Sequence, residues 1–238
     1  MQTVLTLFRK EFTAYFLSPI AYVFITVYLV LTNFIFFQGF FLINQADMRQ
    51  YFGILPWAYL LFVPVITMRS WAEERKAKTF ELLLTWPVRD IEVVLGKFLA
   101  AFAFLTTALL LSLTVPITIG ILGEPDWGPI IGGYLGAVLM GGAYLAIGLW
   151  ISSLTENQIV AFIWALAATF ILFIIGTQFV TMKAPSWSVP LLTYLGLGNH
   201  FESISRGVID SRDLVYYFSV IGFFLYLNVR SLESRKWE

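Results

Sequence analysis

An all-α fold of helices that cross a lipid bilayer is what this sequence predicts, and three observations predict it. Of its 238 residues, 59% are hydrophobic and 13% charged, where a soluble globule carries about a quarter charged residues. The 23 Phe, 11 Tyr and 8 Trp supply more aromatic surface than one core of this size can bury, and lipid or its interface takes the remainder. The apolar residues gather into six segments near the roughly 20 residues needed to cross the hydrocarbon layer. The alternating ten-residue strands of a membrane barrel are absent.

In chain order, residues 1–17 come first. Val4, Phe8, Phe12, Tyr15 and Phe16 share one helical face, with Arg9, Lys10 and Thr13 elsewhere. That is the pattern of a helix lying in the membrane interface, or of an extension of the first span. Six spans follow in a single transmembrane domain over 1–238, at about 19–43, 52–69, 96–122, 129–154, 158–182 and 213–230. The first is longer than the apolar part of a signal peptide and no A-x-A site follows it, so it reads as a retained span. Polar or Pro/Gly-bearing stretches at 44–50, 123–129 and 155–158 separate the others.

Residues 70–86 read as a short amphipathic helix. Ser70 and Glu73 have capping-box spacing, Glu74 and Lys78 are a favourably oriented i,i+4 pair, and Pro87 stops the helix. Ala77, Phe80, Leu83 and Leu84 form an apolar stripe beside a polar one of Glu74, Lys78, Glu81 and Thr85. Such a helix lies parallel to the membrane or docks on a partner. In the fourth span, Gly132, Gly136, Ala137 and Gly141, with Gly128 and Gly133, form rows of small residues that let helices approach closely, either within the chain or at a dimer seam. Pro190, Gly196, Gly198 and Gly207 interrupt the apolar stretch of residues 186–210, which suits an outer amphipathic segment.

An even number of spans puts both termini on one side. Eleven of the 15 Lys and Arg residues fall in the termini and the 69–97 segment, leaving Arg49, Lys183, Arg206 and Arg212 for the other face. The positive-inside rule then places both termini and that segment in the cytoplasm, in the cell (inner) membrane. The spans hold essentially no ionisable residue in their middles, and Lys97 and Arg230 read as end residues that snorkel. A proton- or sodium-coupled carrier, or a channel, is expected to bury a carboxylate, so the energy is expected from elsewhere. The neutral charge balance points to no nucleic-acid partner, and one His and no Cys leave little for a metal. Gly96-Lys97 lacks the rest of a phosphate loop, with Ile91 in place of the first Gly and Phe98 in place of Ser/Thr. The chain is therefore expected to bind no cofactor of its own. His200, with Glu202 and Asp210, is the support for a third reading, a lipid-handling membrane enzyme.

The run Glu74-Arg-Lys-Ala-Lys-Thr-Phe-Glu-Leu-Leu-Leu-Thr-Trp-Pro-Val88, followed by Leu95-Gly-Lys-Phe-Leu-Ala100, resembles the signature of ABC type-2 exporter permeases, in particular the branch associated with gliding motility. Arg9-Lys10-Glu11 with Leu17-Ser-Pro-Ile20, the stretch 67–74 and Asn199–Asp210 agree with it. Lys78 stands where the family pattern has Gly. The resemblance implies a permease that pairs with a second copy or a related chain on two cytoplasmic ATPase subunits, which use ATP and Mg. It leaves room for a periplasmic or accessory subunit and for membrane lipid. It makes 1–17 an interfacial helix, 186–210 the place of the short re-entrant helices that such permeases have before the last span, and 70–86 a coupling helix, whose ATPase-contacting residues are Glu73, Glu74, Lys78, Phe80, Glu81, Leu83 and Leu84.

Overall fold

Ser18 divides the N-terminal 43 residues into two helices, α1 (Gln2–Leu17) and α2 (Pro19–Ile43). Pro19 has no N–H to donate and so begins a helix without weakening it, while the Ser18 hydroxyl accepts from the Ile20 N–H at 3.3 Å. The computed structural model describes residues 2–43, 45–77 and 88–234, and among these the regular elements are all helices. Next come α3 (Arg49–Lys76), α4 (Asp90–Leu111), α5 (Thr114–Leu122), α6 (Trp127–Ser152) and α7 (Gln158–Ile174). The short helices α8 (Gln178–Thr181) and α9 (Val189–Leu195) lead to α10 (Leu197–Ser205) and α11 (Ser211–Ser234).

Helix α6 is the axis of the bundle, touching α3, α4, α7, α10 and α11. Its small residues make that possible, because helices close in where side chains are short. A methyl on Gly133 would run into the Phe52 ring, one on Gly132 into the Ile204 carbonyl, and one on Gly141 would come 2.5 Å from Leu105 Cδ2. A methyl on Gly136 would meet the Phe201 ring at 3.1 Å, and Ala137 is fully buried. Gly132 and Gly136 thus face α10, and Gly141 faces α3 and α4, of their own chain.

Several boundaries differ from those read in the sequence. The expected span 52–69 is part of one 28-residue helix that runs unbroken to Lys76. Trp71 and Ala72 are fully buried, so packing carries the helix past the apolar window, and Ser70 is interior to α3 instead of capping a new helix. The third span begins at Asp90, not 96. Here the Glu92 carboxylate accepts from the Arg89 N–H at 3.2 Å, the backward arm of a capping box. The same span breaks at Ser112–Leu113, where the Ser112 hydroxyl donates to the Leu109 carbonyl at 2.6 Å.

The expected span 158–182 is corrected most. Helix α7 has 17 residues, about 25 Å at 1.5 Å per residue. It ends where Gly176 lets the backbone of Gly196 approach, and Asn199 Nδ2 donates to the Gly176 carbonyl at 2.9 Å. Gly196 and Gly198, where α9 gives way to α10, lie against Gly176 and the Phe173 carbonyl at the end of α7. Among the described residues, five stretches are long and apolar enough to cross a membrane: α2, α3, α4 with α5, α6, and α11. Within 186–210, α10 buries Leu197, His200, Phe201 and Ile204 on one face, and it packs on α6 and α7.

Candidate functional site

Three helices meet at the end of the bundle where α3 finishes and α4 starts. Gly96 allows the meeting, since a Cβ there would lie 2.7 Å from Leu7 Cβ on α1. Its place in the sequence, next to Lys97, thus has a packing reason. Lys97 is in the second turn of α4 with its side chain only 4% exposed, which corrects its reading as a snorkelling end residue. Its ammonium has three N–H donors and three acceptors: Glu74 Oε1 at 2.7 Å, the Ser70 carbonyl at 3.1 Å and Glu11 Oε1 at 3.3 Å. It also lies 5.0 Å from the centre of the Trp71 ring. A cation this deep is tolerable only when paired and hydrogen-bonded, and one ammonium thereby ties α1, α3 and α4 together.

The end of α3 is held from a fourth side as well. Ser152, the last residue of α6, accepts from the N–H groups of Trp71 (3.2 Å) and Ala72 (3.4 Å) and donates to the Met68 carbonyl (3.2 Å). Arg69 forks onto Glu73, with Nε and Nη2 at 2.9 and 3.1 Å from its two carboxylate oxygens. On α1, Tyr15 stacks on Phe104 at 4.9 Å, and burial, with the Glu11 charge adding to it, pushes its phenol well above the ordinary range. The last turns of α3 are therefore tied to α1, α4 and α6 by short polar contacts as well as by packing.

Of the residues singled out in the sequence, Glu73 and Glu74 belong to the last turns of α3, with Glu73 on Arg69 and Glu74 on Lys97. Lys78, Phe80, Glu81, Leu83 and Leu84 lie outside the described residues. What the sequence did not show is that Lys97 and Glu11 meet. Their signal was nevertheless there: a lysine one turn into an apolar segment must find a carboxylate, and Glu11 stands on the interfacial helix expected beside it.

At the opposite end, His200 has a partner other than those expected. Its Nδ1 is 2.6 Å from Asp213 Oδ1 and its Nε2 is 2.8 Å from the Tyr194 carbonyl, with the ring stacked 3.8 Å from that of Tyr216. Asp213 is a buried carboxylate in the first turn of α11, at the start of the last span and not in its middle. Glu202 pairs instead with Arg206 on the surface, and Asp210 accepts from the Arg212 N–H at 2.9 Å. Both ring nitrogens of His200 thus have partners within the chain. The pair fastens α10 to α11. Among the described residues no three His, Asp or Glu side chains converge as a metal site would require.

A family model described as "ABC-2 family transporter protein" matches residues 54–205, from α3 through α10. No curated protein matches the chain.

Proposed function

Since the chain belongs to the ABC-2 transporter family, we propose that it is the permease subunit of an ATP-driven exporter. It moves its substrate across the membrane with ATP hydrolysed, in the presence of Mg, by a separate cytoplasmic ATPase. The observation that carries this reading is the family match over more than half of the chain, together with five stretches among the described residues that are long and apolar enough to span. The joint at Lys97 supports it, because it gives residues 70–77 a stiff route into the bundle.

In this reading residues 70–86 are the coupling segment. Its first part is the end of α3, and Lys78, Phe80, Glu81, Leu83 and Leu84 touch the ATPase. Helix α7 makes the sixth crossing, its shortness met by local thinning of the bilayer. The lysine and arginine distribution supports cytoplasmic termini, and two permease subunits, identical or related, supply one coupling segment to each ATPase. The motifs at 74–88 and 199–210 support a place near the gliding-motility branch.

The test is the double variant Phe80→Ala with Glu81→Lys. Losing an aromatic and a charged anchor in a desolvated cleft costs about 2 kcal/mol or more, roughly a thirtyfold loss of affinity. Pull-down of the ATPase and its hydrolysis rate in proteoliposomes should both fall while the permease remains folded. Unchanged binding and hydrolysis would reduce 70–86 to a linker and remove the coupling mechanism.

A further inference from the structure

A cavity of about 320 Å³ opens at the elbow where α1 turns into α2, walled on its other sides by α3 and α4. Its two ends differ in chemistry. Ile20, Phe24, Ile66 and Phe104 line one end, and Glu11, Arg69, Ser70, Glu73, Glu74 and Lys97 the other. That is the profile of a site for an amphiphile, and the volume is at the lower bound of ligand pockets, roughly 300 Å³. It suits a head group and the first part of one chain. The exposed flank of α2, including Val23 and Val27, is left for the rest of the chain.

The polar end also restricts the head group. All three N–H donors of Lys97 are used within the protein, and two N–H groups of Arg69 are used on Glu73. Glu11 and Glu73 each offer about four lone-pair sites, more than Lys97, Arg69 and the nearby Lys10, 4.0 Å from Glu11, occupy. Arg69 and Glu73 are 39% and 49% exposed, within reach of a ligand. A complementary head group must donate several hydrogen bonds and carry a negative group for the guanidinium. A primary ammonium joined to a phosphate has both features. A quaternary ammonium has no N–H to give, and a purely anionic head would face three carboxylates.

We propose that this cavity binds a glycerophospholipid of the ethanolamine type. Its ammonium lies on Glu11 and Glu73, its phosphate on Arg69, and one acyl chain runs along Ile20, Phe24 and Phe104. The inference rests on the chain spanning a bilayer and is independent of the ATPase partnership.

Native mass spectrometry of the full chain in mild detergent, with ethanolamine, choline and glycerol phospholipids of identical chains added in turn, tests it. A hydrogen bond to a charged group contributes about 1.5–3 kcal/mol, so the ethanolamine lipid should be retained about tenfold or more over the choline lipid. Glu73→Gln should bring the two towards parity. Ala14→Trp, at an exposed lining position, should fill the cavity and abolish retention with thermal stability unchanged. Should Ala14→Trp not fold, Glu73→Gln still decides, because its side chain is half in solvent. Equal retention of the ethanolamine and choline lipids overturns the proposal, as does retention that survives a folded Ala14→Trp. A dimer that excludes lipid and is broken by Ala14→Trp would give the cavity to a second copy of the chain and equally overturn it. Retention is read without any ATPase, so lost coupling with intact lipid binding would count against the exporter reading alone.

Discussion

Replacing Lys97 by methionine keeps the length of the side chain and removes the cation that two carboxylates share. At an effective dielectric constant of about 20, unit charges at the observed 2.7 and 3.3 Å attract by about 6 and 5 kcal/mol. Most of that is offset by the cost of taking the ammonium out of water, so the gross figure overstates its worth. Loss of one member of a buried ion pair costs about 3–5 kcal/mol because the remaining charge stays behind. Glu11 and Glu74 are 22% and 21% exposed and can recover some hydration, which puts the expected loss near the lower figure, about 3 kcal/mol. For a chain of this length 1 kcal/mol shifts the midpoint by about 2–4 °C, so Lys97→Met should lower Tm by about 6–12 °C in detergent. Adding Glu11→Gln and Glu74→Gln to the same chain should restore most of the loss, since neutral amides leave no charge to compensate. Thermal unfolding of the single, double and triple variants forms the cycle. A Lys97→Met protein as stable as the parent, or a triple variant less stable than the single one, would refute the idea that the triad is the joint.

Two further outcomes follow from the same structure. Reporter fusions after Glu238 and within 78–85 should read as cytoplasmic and those at Glu124–Asp126 as external, the motive being the eleven-to-four split of lysine and arginine; an external C-terminus would sink an even number of crossings. His200→Phe should destabilise the protein by about 3 kcal/mol, the cost of stranding a buried charge, because Asp213 Oδ2 has no hydrogen-bond partner and Oδ1 relies on the imidazole. Asp213→Asn, which keeps an acceptor for Nδ1, should cost clearly less, and equal thermal stability of His200→Phe and the parent would show that the pair does not fasten α10 to α11.

Helix content, the approximate place of most spans and the clustering of basic residues are local properties, and they were legible in the chain itself. An apolar window of about 20 residues demands a helix in lipid because each unsatisfied backbone group there costs several kcal/mol, whichever neighbour it later meets. That residues 2–17 form a helix followed from the single face shared by Phe8, Phe12 and Phe16. What tertiary structure alone decided is where polar side chains found one another. Lys97 meets Glu74 and Glu11 across 23 and 86 residues of sequence, and no periodicity encodes such a meeting. His200 chose Asp213 over the nearer Glu202 and Asp210 because the buried face of α10 turns it towards α11 and leaves Glu202 in solvent. The ends of α3 and α7 were likewise tertiary decisions: burial of Trp71 and Ala72 carried one helix past its apolar window, and the approach of Gly196 and Asn199 to Gly176 cut the other short. Hydropathy is summed along the chain, whereas burial, charge pairing and helix termination are settled by whichever neighbour arrives from elsewhere.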